Sequence, residues 1–598
     1  PFPHQSIWSS GYENMKVRVD WFSVNCLSSP PMSSPPVDRS HFPSLERLLE
    51  LTPADAQHIV EFGCQTGELA RRYKSINPHC VYIGVESNLE AAQIATQFCD
   101  RVWVGTAESI DDRLFGALWG TIDCIIYNGV LEYIDDAVSL LQHHAAGLKS
   151  GGLMLSSLPN FQYWQTLQGM FRGTWEDDKI QNLLTFDRIQ ALFENSDLQV
   201  FEMLPIGEET PGWQKFWTQI EPLAREWQLD TQKLRRQTQA ARYLVRAIKS
   251  PQPPRRLLVQ TLLISTIASD TVRVYQSDRL LRTIPGVRTI SQVNKSELRK
   301  ALPDEAKVFV WQRDRWSLQQ AIEKQRVLLR LGYLTIAEID DDPRIWQDHR
   351  DHNFILFRSC HCIQTSTEAL ATLLRQFNPY VKVFPNQVFA LPQPRMYSDT
   401  DSVTLFFGAI NRETDWLPLM ETLNRVLASF ADRVRVQVIH DRRFFDALTT
   451  PNKTFEPLCN YDRYHELLSQ CDVAILPLND TEFNRMKSDL KFIECAQHGV
   501  AVLASSTVYE QSIIDGETGL IYRSIEEFES KLTQLIDRTS CRRKIAANAY
   551  EWVKRNRLLC QHYRQRYEWY LEMYDRLPEL TLELRDRVPQ IFDFSIVI

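Results

Sequence analysis

The sequence lacks any long hydrophobic run and any strong excess of one charge. Its longest apolar stretch, Leu257–Ala268, is interrupted by polar residues and falls short of the ~20 residues that a membrane-spanning helix needs. A formal charge of −8 over 598 residues gives no sign of a surface for nucleic acid or anionic membranes. No secretory signal pattern is present. We therefore expect a cytoplasmic protein, with a peripheral position at the inner membrane face as the alternative.

The 12 cysteines lack the spacing of a disulfide framework or a metal site. Most are scattered inside apolar runs, which favours reduced thiols buried in a core. Cys360, His361 and Cys362 supply zinc-type ligands, but they fall in an alternating, strand-like run with no second ligand pair nearby. We therefore expect no bound metal.

The composition is that of a folded protein with several domains. Hydrophobic residues make up 44% and charged residues 24%, which excludes a disordered chain, a collagen-like fibre and a coiled coil. The length predicts about three to five domains. Residues 1–44 are rich in Ser and Pro and cannot bury enough apolar surface to order themselves, so they are predicted to form a flexible arm.

Residues 45–205 alternate short apolar runs with helical patterns, which predicts an α/β domain with a parallel sheet. Strands are predicted at His58–Phe62, Val81–Val85, Asp123–Tyr127 and Leu198–Leu204, and helices at Glu68–Tyr73, Ala137–Leu148 and Phe186–Phe193. Residues 206–254 are predicted to be a helical linker, because the segment is rich in Trp, Gln and Arg and ends in a cluster of prolines.

Two further βα series follow, at residues 255–394 and 395–578. They predict two facing Rossmann-like halves with a cleft between them. Strands are predicted at Leu257–Ile264, Lys307–Trp311, Leu334–Ile339, His361–Thr365, Val381–Phe384, Val403–Phe407, Val434–Ile439, Val473–Leu476 and Ala501–Ala504. Helices at 541–556 and 558–576 precede a tail, 579–598, which we expect to be the start of a further domain.

A glycine-containing turn follows the first predicted strand. Gly63 and Gly67 permit tight turning and close approach of a ligand. Nineteen residues after Gly67, Glu86 ends the second strand, where a carboxylate can accept both hydroxyls of a ribose. The third strand leads into Asn128 and then Glu132. This order and spacing predict a nucleoside-binding site.

The run from Ile59 to Gly67, with Glu86 and the stretch Asn128–Tyr133, resembles class I S-adenosylmethionine-dependent methyltransferases. The resemblance covers about residues 45–205 and implies S-adenosylmethionine as cofactor. It departs at Gln65, where the family has a glycine, and at Tyr133, where many members have His. Glu132 and Tyr133 are then the candidates for proton removal. By position, the implied cofactor-binding residues are Glu61, Gly63 and Gly67 at the methionine end, Glu86 at the ribose, Ala107 and Glu108 near the adenine, and Asn128 closing the site.

A second candidate site lies around residues 483–499. Ser488 or Asp489 is a natural N-cap for a helix from Leu490 to His498. A helix N-terminus suits a phosphate, and Lys491 adds positive charge one helical turn after another lysine, Lys487. Further along the same helix, Glu494 can bind a hydroxyl pair. These residue types predict a site for a sugar nucleotide.

The helix Lys491–Ala496, the following Gly499–Val502 and the turn Asp515–Leu520 resemble GT-B glycosyltransferases, especially family 4. The likeness extends over residues 255–570 and implies a nucleotide-sugar donor, retention at the anomeric carbon and no dedicated metal. It departs at Met486, where the family usually has Glu. By position, Lys491 would neutralise the donor diphosphate and Glu494 would hold the ribose, and the implied donor-binding set is Arg412, Lys487, Ser488, Asp489, Lys491 and Glu494.

Three carboxylates, Asp340, Asp341 and Asp342, end a predicted strand of the first half. The carboxyl end of such a strand faces the cleft, so Asp340 and Asp341 are candidates to orient acceptor hydroxyls in catalysis. The alternative is that this acidic turn only caps a helix.

The combined resemblance implies an α/β protein with a Rossmann-like methyltransferase domain followed by a two-domain GT-B glycosyltransferase. Such a bifunctional enzyme would act on a growing glycan or lipid-linked glycan, of a surface polysaccharide or O-antigen type, alongside other polysaccharide-assembly enzymes. In the alternative, one module is degenerate and serves as a glycan-binding or scaffolding domain. A nucleic-acid methyltransferase needs a basic, aromatic face. The Arg-rich segment 233–246 is better explained as a solvated linker helix, so no nucleic-acid partner is expected.

The last five residues, Phe594–Ile598, resemble the opening strand of family 2 GT-A glycosyltransferases. A plain terminal strand explains them equally well. The absence of Met at residue 1 and this strand-like end lead us to expect a segment of a longer protein.

Overall fold

The computed structural model describes residues 42–110, 115–174, 182–250, 252–264, 268–294, 298–299, 301–397 and 401–593. Ser44–Ile598 form one compact unit. Most of the predicted arm at 1–44 and the predicted strand at 594–598 lie outside the described residues. A first helix, α1 (Phe42–Leu51), begins inside the last residues of that arm.

The first sheet has seven strands in the order β3-β2-β1-β4-β5-β7-β6. Its strands are β1 (His58–Phe62), β2 (Val81–Glu86), β3 (Arg101–Val104), β4 (Ile122–Asn128), β5 (Leu148–Pro159), β6 (Gln199–Ile206) and β7 (Arg242–Ile248). The first five are parallel and follow the doubly wound order, whereas β7 runs antiparallel between β5 and β6. The helices are α2 (Glu68–Ile76), α3 (Leu89–Ala95), α4 (Ala137–Gly147), α5 (Trp164–Arg172), α6 (Phe186–Glu194), α7 (Pro211–Glu226) and α8 (Thr231–Gln239).

The prediction of a helical linker at 206–254 is wrong at its C-terminal end. Residues 242–248 form β7, and the segment 233–246 is therefore not one helix. Arg246 explains the error: it is 2% exposed, although arginine usually marks a solvated surface. Its guanidinium pairs with Glu202 at 2.9 Å and donates to the carbonyl oxygen of Thr283 at 2.8 Å, so the buried charge is compensated by contacts far along the chain.

The second sheet is entirely parallel, in the order β13-β12-β11-β10-β8-β9. Its strands are β8 (Leu257–Leu263), β9 (Val287–Val293), β10 (Ala306–Gln312), β11 (Leu334–Ile339), β12 (Cys362–Thr365) and β13 (Val381–Val383). The helices are α9 (Ala268–Asp270), α10 (Gln276–Leu281), α11 (Leu318–Arg330), α12 (Gln347–Asp351), α13 (Ile355–Ser359) and α14 (Glu368–Leu374), with a π-helical turn at Thr271–Tyr275.

The third sheet is also parallel, in the order β16-β15-β14-β17-β18-β19. Its strands are β14 (Val403–Gly408), β15 (Val434–Ile439), β16 (Lys453–Glu456), β17 (Val473–Leu476), β18 (Ala501–Ser505) and β19 (Leu520–Tyr522). The helices are α15 (Glu413–Trp416), α16 (Met420–Phe430), α17 (Arg442–Ala447), α18 (Tyr461–Ser469), α19 (Glu482–Arg485), α20 (Leu490–Gln497), α21 (Ile525–Asp537) and α22 (Thr539–Asn556).

Two C-terminal helices return to the second sheet. The first is α23 (Tyr563–Asp575), whose Tyr570 hydroxyl donates to Gln364 Oε1 on β12 at 2.8 Å. The second is α24 (Leu577–Arg587), and the Arg587 guanidinium donates to the carbonyl oxygen of Cys360 at 2.7 Å. The expected further domain at 579–598 is therefore wrong for 579–593, which pack on the second sheet's half.

The first sheet's domain packs against the segment that leads from β13 toward β14, residues 384–397, which we call the hinge. The carbonyl oxygen of Ser75 accepts from the backbone N–H of Leu391 at 2.6 Å, and Asp55 pairs with Arg564 at the start of α23. Apolar side chains of all three regions join one continuous core. Within the described part of the chain, no helix is long and apolar enough to cross a membrane.

Candidate active sites

The turn after β1 requires glycine at two positions. Gly63 has φ +77, and a Cβ there would lie 2.7 Å from the carbonyl oxygen of Asn128. Gly67 has φ +78, and a Cβ would lie 3.0 Å from Cα of Ala95. Gln65, which stands where the resembled family has glycine, also adopts a left-handed conformation with φ +50. The backbone of the turn is therefore kept although one glycine is lost.

A buried carboxylate lies at the end of β1. Glu61 is fully buried, accepts from the Tyr82 hydroxyl at 2.9 Å and contacts Asn128 Nδ2 at 3.5 Å. Burial raises the pKa of Glu61 from its ordinary value of 4.5 to about 7, against the opposing effect of these two donors. Glu61 and Asn128, predicted to share a site, are in contact.

Glu86 at the end of β2 organises the same turn. Its two carboxylate oxygens accept from the backbone N–H of Gln65 at 2.9 Å and of Asn88 at 2.8 Å. Ala107 and Glu108 follow β3 at the same edge of the sheet, with Ala107 buried and Glu108 exposed. The carboxyl ends of β1, β2 and β4 thus carry the predicted cofactor residues side by side.

Glu132 lies on a short helical turn after β4 and is 3% exposed. Arg242, the first residue of β7, contacts Glu132 Oε1 at 3.4 Å and donates to Ser157 at the end of β5 through Nε at 3.0 Å. Tyr133 is half exposed beside it. Sequence reasoning missed Arg242 because it was assigned to a linker helix, and the antiparallel strand that places it pairs with residues about 85 positions earlier.

Lys491 and Glu494 project from α20 into the third domain. The Lys491 ammonium donates to the carbonyl oxygen of Gly408 and lies 5.5 Å from the Tyr464 ring centre. Glu494 accepts from the Tyr461 hydroxyl at 2.8 Å. Burial lowers the pKa of Lys491 and raises that of Glu494. The two groups also act on each other, since the opposite charge of each shifts the pKa of the other against the effect of burial.

Arg412 follows β14 and points toward the same region. Its guanidinium donates to Asn484 Oδ1 at 2.7 Å and contacts Asp415 Oδ2 at 3.3 Å. It also lies 5.7 Å from the Phe483 ring centre. The structure therefore connects Arg412 to the segment that leads into α20.

Asp340 and Asp341 lie at the carboxyl end of β11 and meet cations on two sides. Asp341 forms an ion pair with Lys487 of the third domain, and Asp340 pairs with Arg313, which follows β10. Burial raises the pKa of Asp340, but Arg313 outweighs it and the net shift is downward. Burial lowers the pKa of Lys487 despite Asp341. Arg313 was not identified from sequence.

The capping alternative applies to Asp342 alone. Its Oδ1 accepts from the backbone N–H of Arg344 at 2.9 Å and caps a short helical turn. Asp340 and Asp341 make no such contact among the described residues and face the cleft instead. The capping interpretation therefore holds for Asp342, and the acceptor role of Asp340 and Asp341 stays a prediction.

The residues before α20 contact the hinge and the second domain. Ser488 Oγ accepts from Asn386 Nδ2 at 2.9 Å, and Met486 is buried against the second domain's core. The Asp489 carboxylate pairs with both terminal nitrogens of Arg557 and accepts from Ser512. Asp489 is the N-cap of α20, as predicted, although its side chain makes no capping hydrogen bond.

A cavity of about 570 Å³ opens beside this segment, between the second and third domains. Its walls come from the chain after β8, the start of α14, the hinge, the residues before α20 and the start of α23. Arg412, Lys491 and Glu494 are not part of its walls. The other three residues of the predicted donor set, Lys487, Ser488 and Asp489, do line it.

In the described residues, no group of three or more His, Cys, Asp or Glu side chains is arranged to hold a metal. His361 is buried, and its Nδ1 accepts from the backbone N–H of Thr335 at 3.0 Å. Cys360 and Cys362 on either side are buried free thiols.

Comparison with known proteins gives two family matches. A family described as "Methyltransferase domain" matches residues 38–202, and one described as "Glycosyl transferase-like" matches residues 419–572. No curated protein matches the chain.

Among solved structures, the chain is similar to TarM at 12% identity, covering 45% of this chain and 55% of TarM, with a TM-score of 0.35. It thus spans about half the length of TarM. It is also similar to Anabaena Alr3699/HepE in complex with UDP and glucose, at 12% identity over 53% of this chain and 99% of that one, TM-score 0.39. An S-adenosylmethionine-dependent methyltransferase from Mesorhizobium loti matches at 14% identity over 35% of this chain and 97% of that one, TM-score 0.24. At TM-scores below 0.5, these likenesses carry no argument about function.

The first matched family falls on the seven-stranded sheet, and the second falls within the pair of facing parallel sheets. Residues 38–202 of this chain therefore match a methyltransferase-domain family, and residues 419–572 match a glycosyl transferase-like family.

Proposed function

We propose that the chain is a bifunctional enzyme that transfers a methyl group from S-adenosylmethionine and a sugar from a nucleotide donor onto a growing surface glycan. The observation that carries the proposal is the presence of both matched domains with a set of converging polar residues at the carboxyl edge of each sheet. Carboxyl edges of parallel sheets are where nucleotide ligands bind in such folds.

In the methyltransferase domain, the residues present fit the cofactor. The cofactor supplies an electrophilic methyl group. Gly63 and Gly67 leave room for a ligand at the turn, and Glu86 lies where its carboxylate would accept from the hydroxyls of a ribose. Glu61 and Asn128 would hold the methionine end. Ala107 and Glu108 would flank the adenine.

We assign proton removal from the methyl acceptor to Glu132. Its carboxylate is buried at the cofactor edge and is oriented by Arg242. A base needs to be held within reach of the acceptor proton, and Arg242 fixes Glu132 against the end of β5 through Ser157. Arg242 is thus a positioning residue in this proposal.

In the glycosyltransferase domain, the donor would bind against the third sheet. Lys491, Arg412 and Lys487 would neutralise the leaving diphosphate, and this stabilisation is the main term that such a cleft supplies. Glu494 would accept from the ribose hydroxyls, with Ser488 and Asp489 shaping the segment that contacts the sugar. Asp340 and Asp341 would orient the acceptor. Retention at the anomeric carbon belongs to this proposal.

A second candidate function is that the methyltransferase domain binds without catalysis. The observation that favours it is Gln65, an exposed side chain in the cofactor turn where the resembled family has glycine. In this case the domain would serve as a glycan-binding or scaffolding module fixed to the hinge.

Mass-spectrometric product analysis of the full chain tests the proposal. The chain is incubated with S-adenosylmethionine, a panel of nucleotide sugars and a panel of oligosaccharide acceptors. We expect products that gain one sugar and products that gain 14 mass units, roughly one CH2, in keeping with transfer by each module. Sugar transfer without any methylated product would favour the second candidate. The absence of both products would refute the proposal.

A further inference from the structure

The cavity between the second and third domains is richer in cations than in anions. Its walls include five arginine or lysine side chains and two carboxylates. Most of these cations have carboxylate partners: Lys487 pairs with Asp341, and Arg557 pairs with Asp489. Arg566 is the exception, since within the described residues no carboxylate oxygen lies within 4.0 Å of its guanidinium. Arg566 therefore lines the cavity without a direct ion pair, although Asp278 interacts with it electrostatically.

Two further donors in the walls have no partner. Arg273 is 2% exposed. Its Nε donates to Glu338 Oε1 at 2.7 Å, and its NH1 donates to the carbonyl oxygen of Phe384 in the hinge. Its NH2 has no hydrogen-bond partner among the described residues. The hydroxyl of Ser366, 3% exposed, is likewise unpartnered. Buried polar groups of this kind are normally satisfied, so each points to a missing acceptor.

The donors belong to one assembly. Arg566 donates through NH1 to the carbonyl oxygen of Arg273 at 3.1 Å and stacks its guanidinium over the Phe384 ring at 4.9 Å. Arg273 donates through NH1 to the carbonyl oxygen of Phe384, so both guanidinium groups contact this one residue. Guanidinium pairs bind oxyanions through several parallel N–H donors.

Backbone strain marks the opposite wall. Val508 lines the cavity with φ +58, a conformation that is an outlier for a β-branched residue. Such strain persists only where the surroundings impose it, and it clusters at ligand sites. The cavity volume of about 570 Å³ is in the range of small-molecule sites.

We propose that this cavity binds a phosphate group carried by the glycosyl acceptor. A phosphate offers three acceptor oxygens to the spare donors of Arg273, Arg566 and Ser366. The donor's own diphosphate is assigned to Arg412, Lys491 and Lys487, of which only Lys487 is in these walls. This inference rests on the proposed glycosyl transfer and names its acceptor class: a phosphorylated sugar or phosphate-linked glycan.

The test is calorimetric titration of the full chain with glucose 6-phosphate, glucose and glucuronate, each with and without a saturating nucleoside diphosphate. We expect glucose 6-phosphate to bind, glucose and glucuronate to bind at least tenfold more weakly, and the nucleotide to leave this binding in place. Competitive displacement by the nucleotide would assign the phosphate to the donor site and overturn the proposal. Absence of binding at millimolar concentration, or equal binding of glucuronate, would also overturn it.

Two variants locate the binding. Arg566→Gln is expected to weaken glucose 6-phosphate binding about tenfold. Gln565→Glu adds a negative charge at an exposed position of the wall, which the fold tolerates, and is expected to weaken it at least threefold. Gln232→Glu, the same change on an exposed part of α8 away from the cavity, is the control and is expected to change nothing. Unchanged binding in Gln565→Glu would overturn the assignment.

Failure of the glycosyltransferase proposal would give a different experimental result from failure of the phosphate-site proposal. In that case no nucleoside diphosphate binds and no nucleotide sugar is consumed, whereas the glucose 6-phosphate titrations of the chain and its variants remain interpretable by themselves.

Discussion

Lys487 of the third domain pairs with Asp341 of the second, although 146 positions separate them in sequence. Both side chains are mostly buried, at 18% exposure each. The pair joins the residues before α20 to the end of β11, so it bridges the cleft in which a donor is proposed to bind. An incoming diphosphate competes with Asp341 for Lys487.

Asp341→Asn removes this competition. The variant leaves Lys487 without its counter-charge, which a diphosphate then supplies, so the affinity for a nucleoside diphosphate is expected to rise about fivefold. Transfer to the acceptor is expected to fall, because Asp341 is proposed to orient it. Separate measurement of nucleotide Kd and of kcat checks both parts. Asp348→Asn, at an exposed surface pair, is the control, and a weaker nucleotide affinity in Asp341→Asn contradicts the account.

Lys491→Met removes the buried ammonium but keeps the length of the side chain. Glycosyl transfer is expected to fall about 10²-fold, the usual effect of losing one preorganised charge-stabilising donor. Methyl transfer by the same preparation is expected to be unchanged. Lys544→Met, at an exposed position of α22, serves as the matched control. Full glycosyl transfer in Lys491→Met would remove Lys491 from the site.

Gly63→Ala is expected to abolish S-adenosylmethionine binding, because the added Cβ would lie 2.7 Å from both Asn128 O and Val130 Cγ2. Gly151→Ala is the control: Gly151 has a nearly identical φ of +76, but a Cβ there meets nothing within 4 Å. In that control, folding stability is expected to fall by only about 1 kcal/mol, the cost of placing alanine in a left-handed backbone conformation, and cofactor binding is expected to be kept. Equal loss of binding in both variants would show that glycine is required at position 63 because of the left-handed backbone and not because an added Cβ would collide with Asn128 and Val130.

Glu61 predicts a pH dependence of stability. Its folded pKa of about 7 lies above its ordinary value of 4.5, so the folded state holds more protons than the unfolded state between these pH values. Stability of the methyltransferase sheet is therefore expected to fall as pH rises from about 4.5 to 7, by on the order of 3 kcal/mol. Hydrogen exchange of β1 and β2 amides across this range measures the effect locally.

Glu61→Gln cannot titrate and is expected to flatten this dependence. Glu108→Gln, an exposed change at the same sheet edge, is expected to keep the slope. A slope in Glu61→Gln equal to that of the unmodified chain would assign the pH dependence to another group.

Much of the fold could be predicted from local pattern. The bounds of β1, β11, β15 and β17 follow from apolar runs bounded by turn residues, and the structure reproduces them residue for residue. The prediction failed for β7 because an arginine such as Arg246 normally indicates a solvent-exposed position. Arg246 is buried because folding brings acceptors such as the carbonyl oxygen of Thr283 to its guanidinium. Sequence pattern contains no information on such distant compensation.

The candidate sites show the same limit. Gly63, Glu86 and Lys491 could be identified because a turn, a strand end and a helix start impose recognisable residue types. Arg313 and Arg242 could not, since each is an ordinary arginine until another strand brings a carboxylate to it. The roles of all these residues stay predictions until variants are measured.

The most direct test of the two-site account is a calorimetric titration of one full-length preparation with S-adenosylmethionine and with a nucleoside diphosphate, each in the presence and absence of the other. The account predicts one site for each ligand, independent of the other, with Gly63→Ala removing only the first and Lys491→Met weakening only the second. Mutual displacement of the two ligands, or loss of both in either variant, would contradict it.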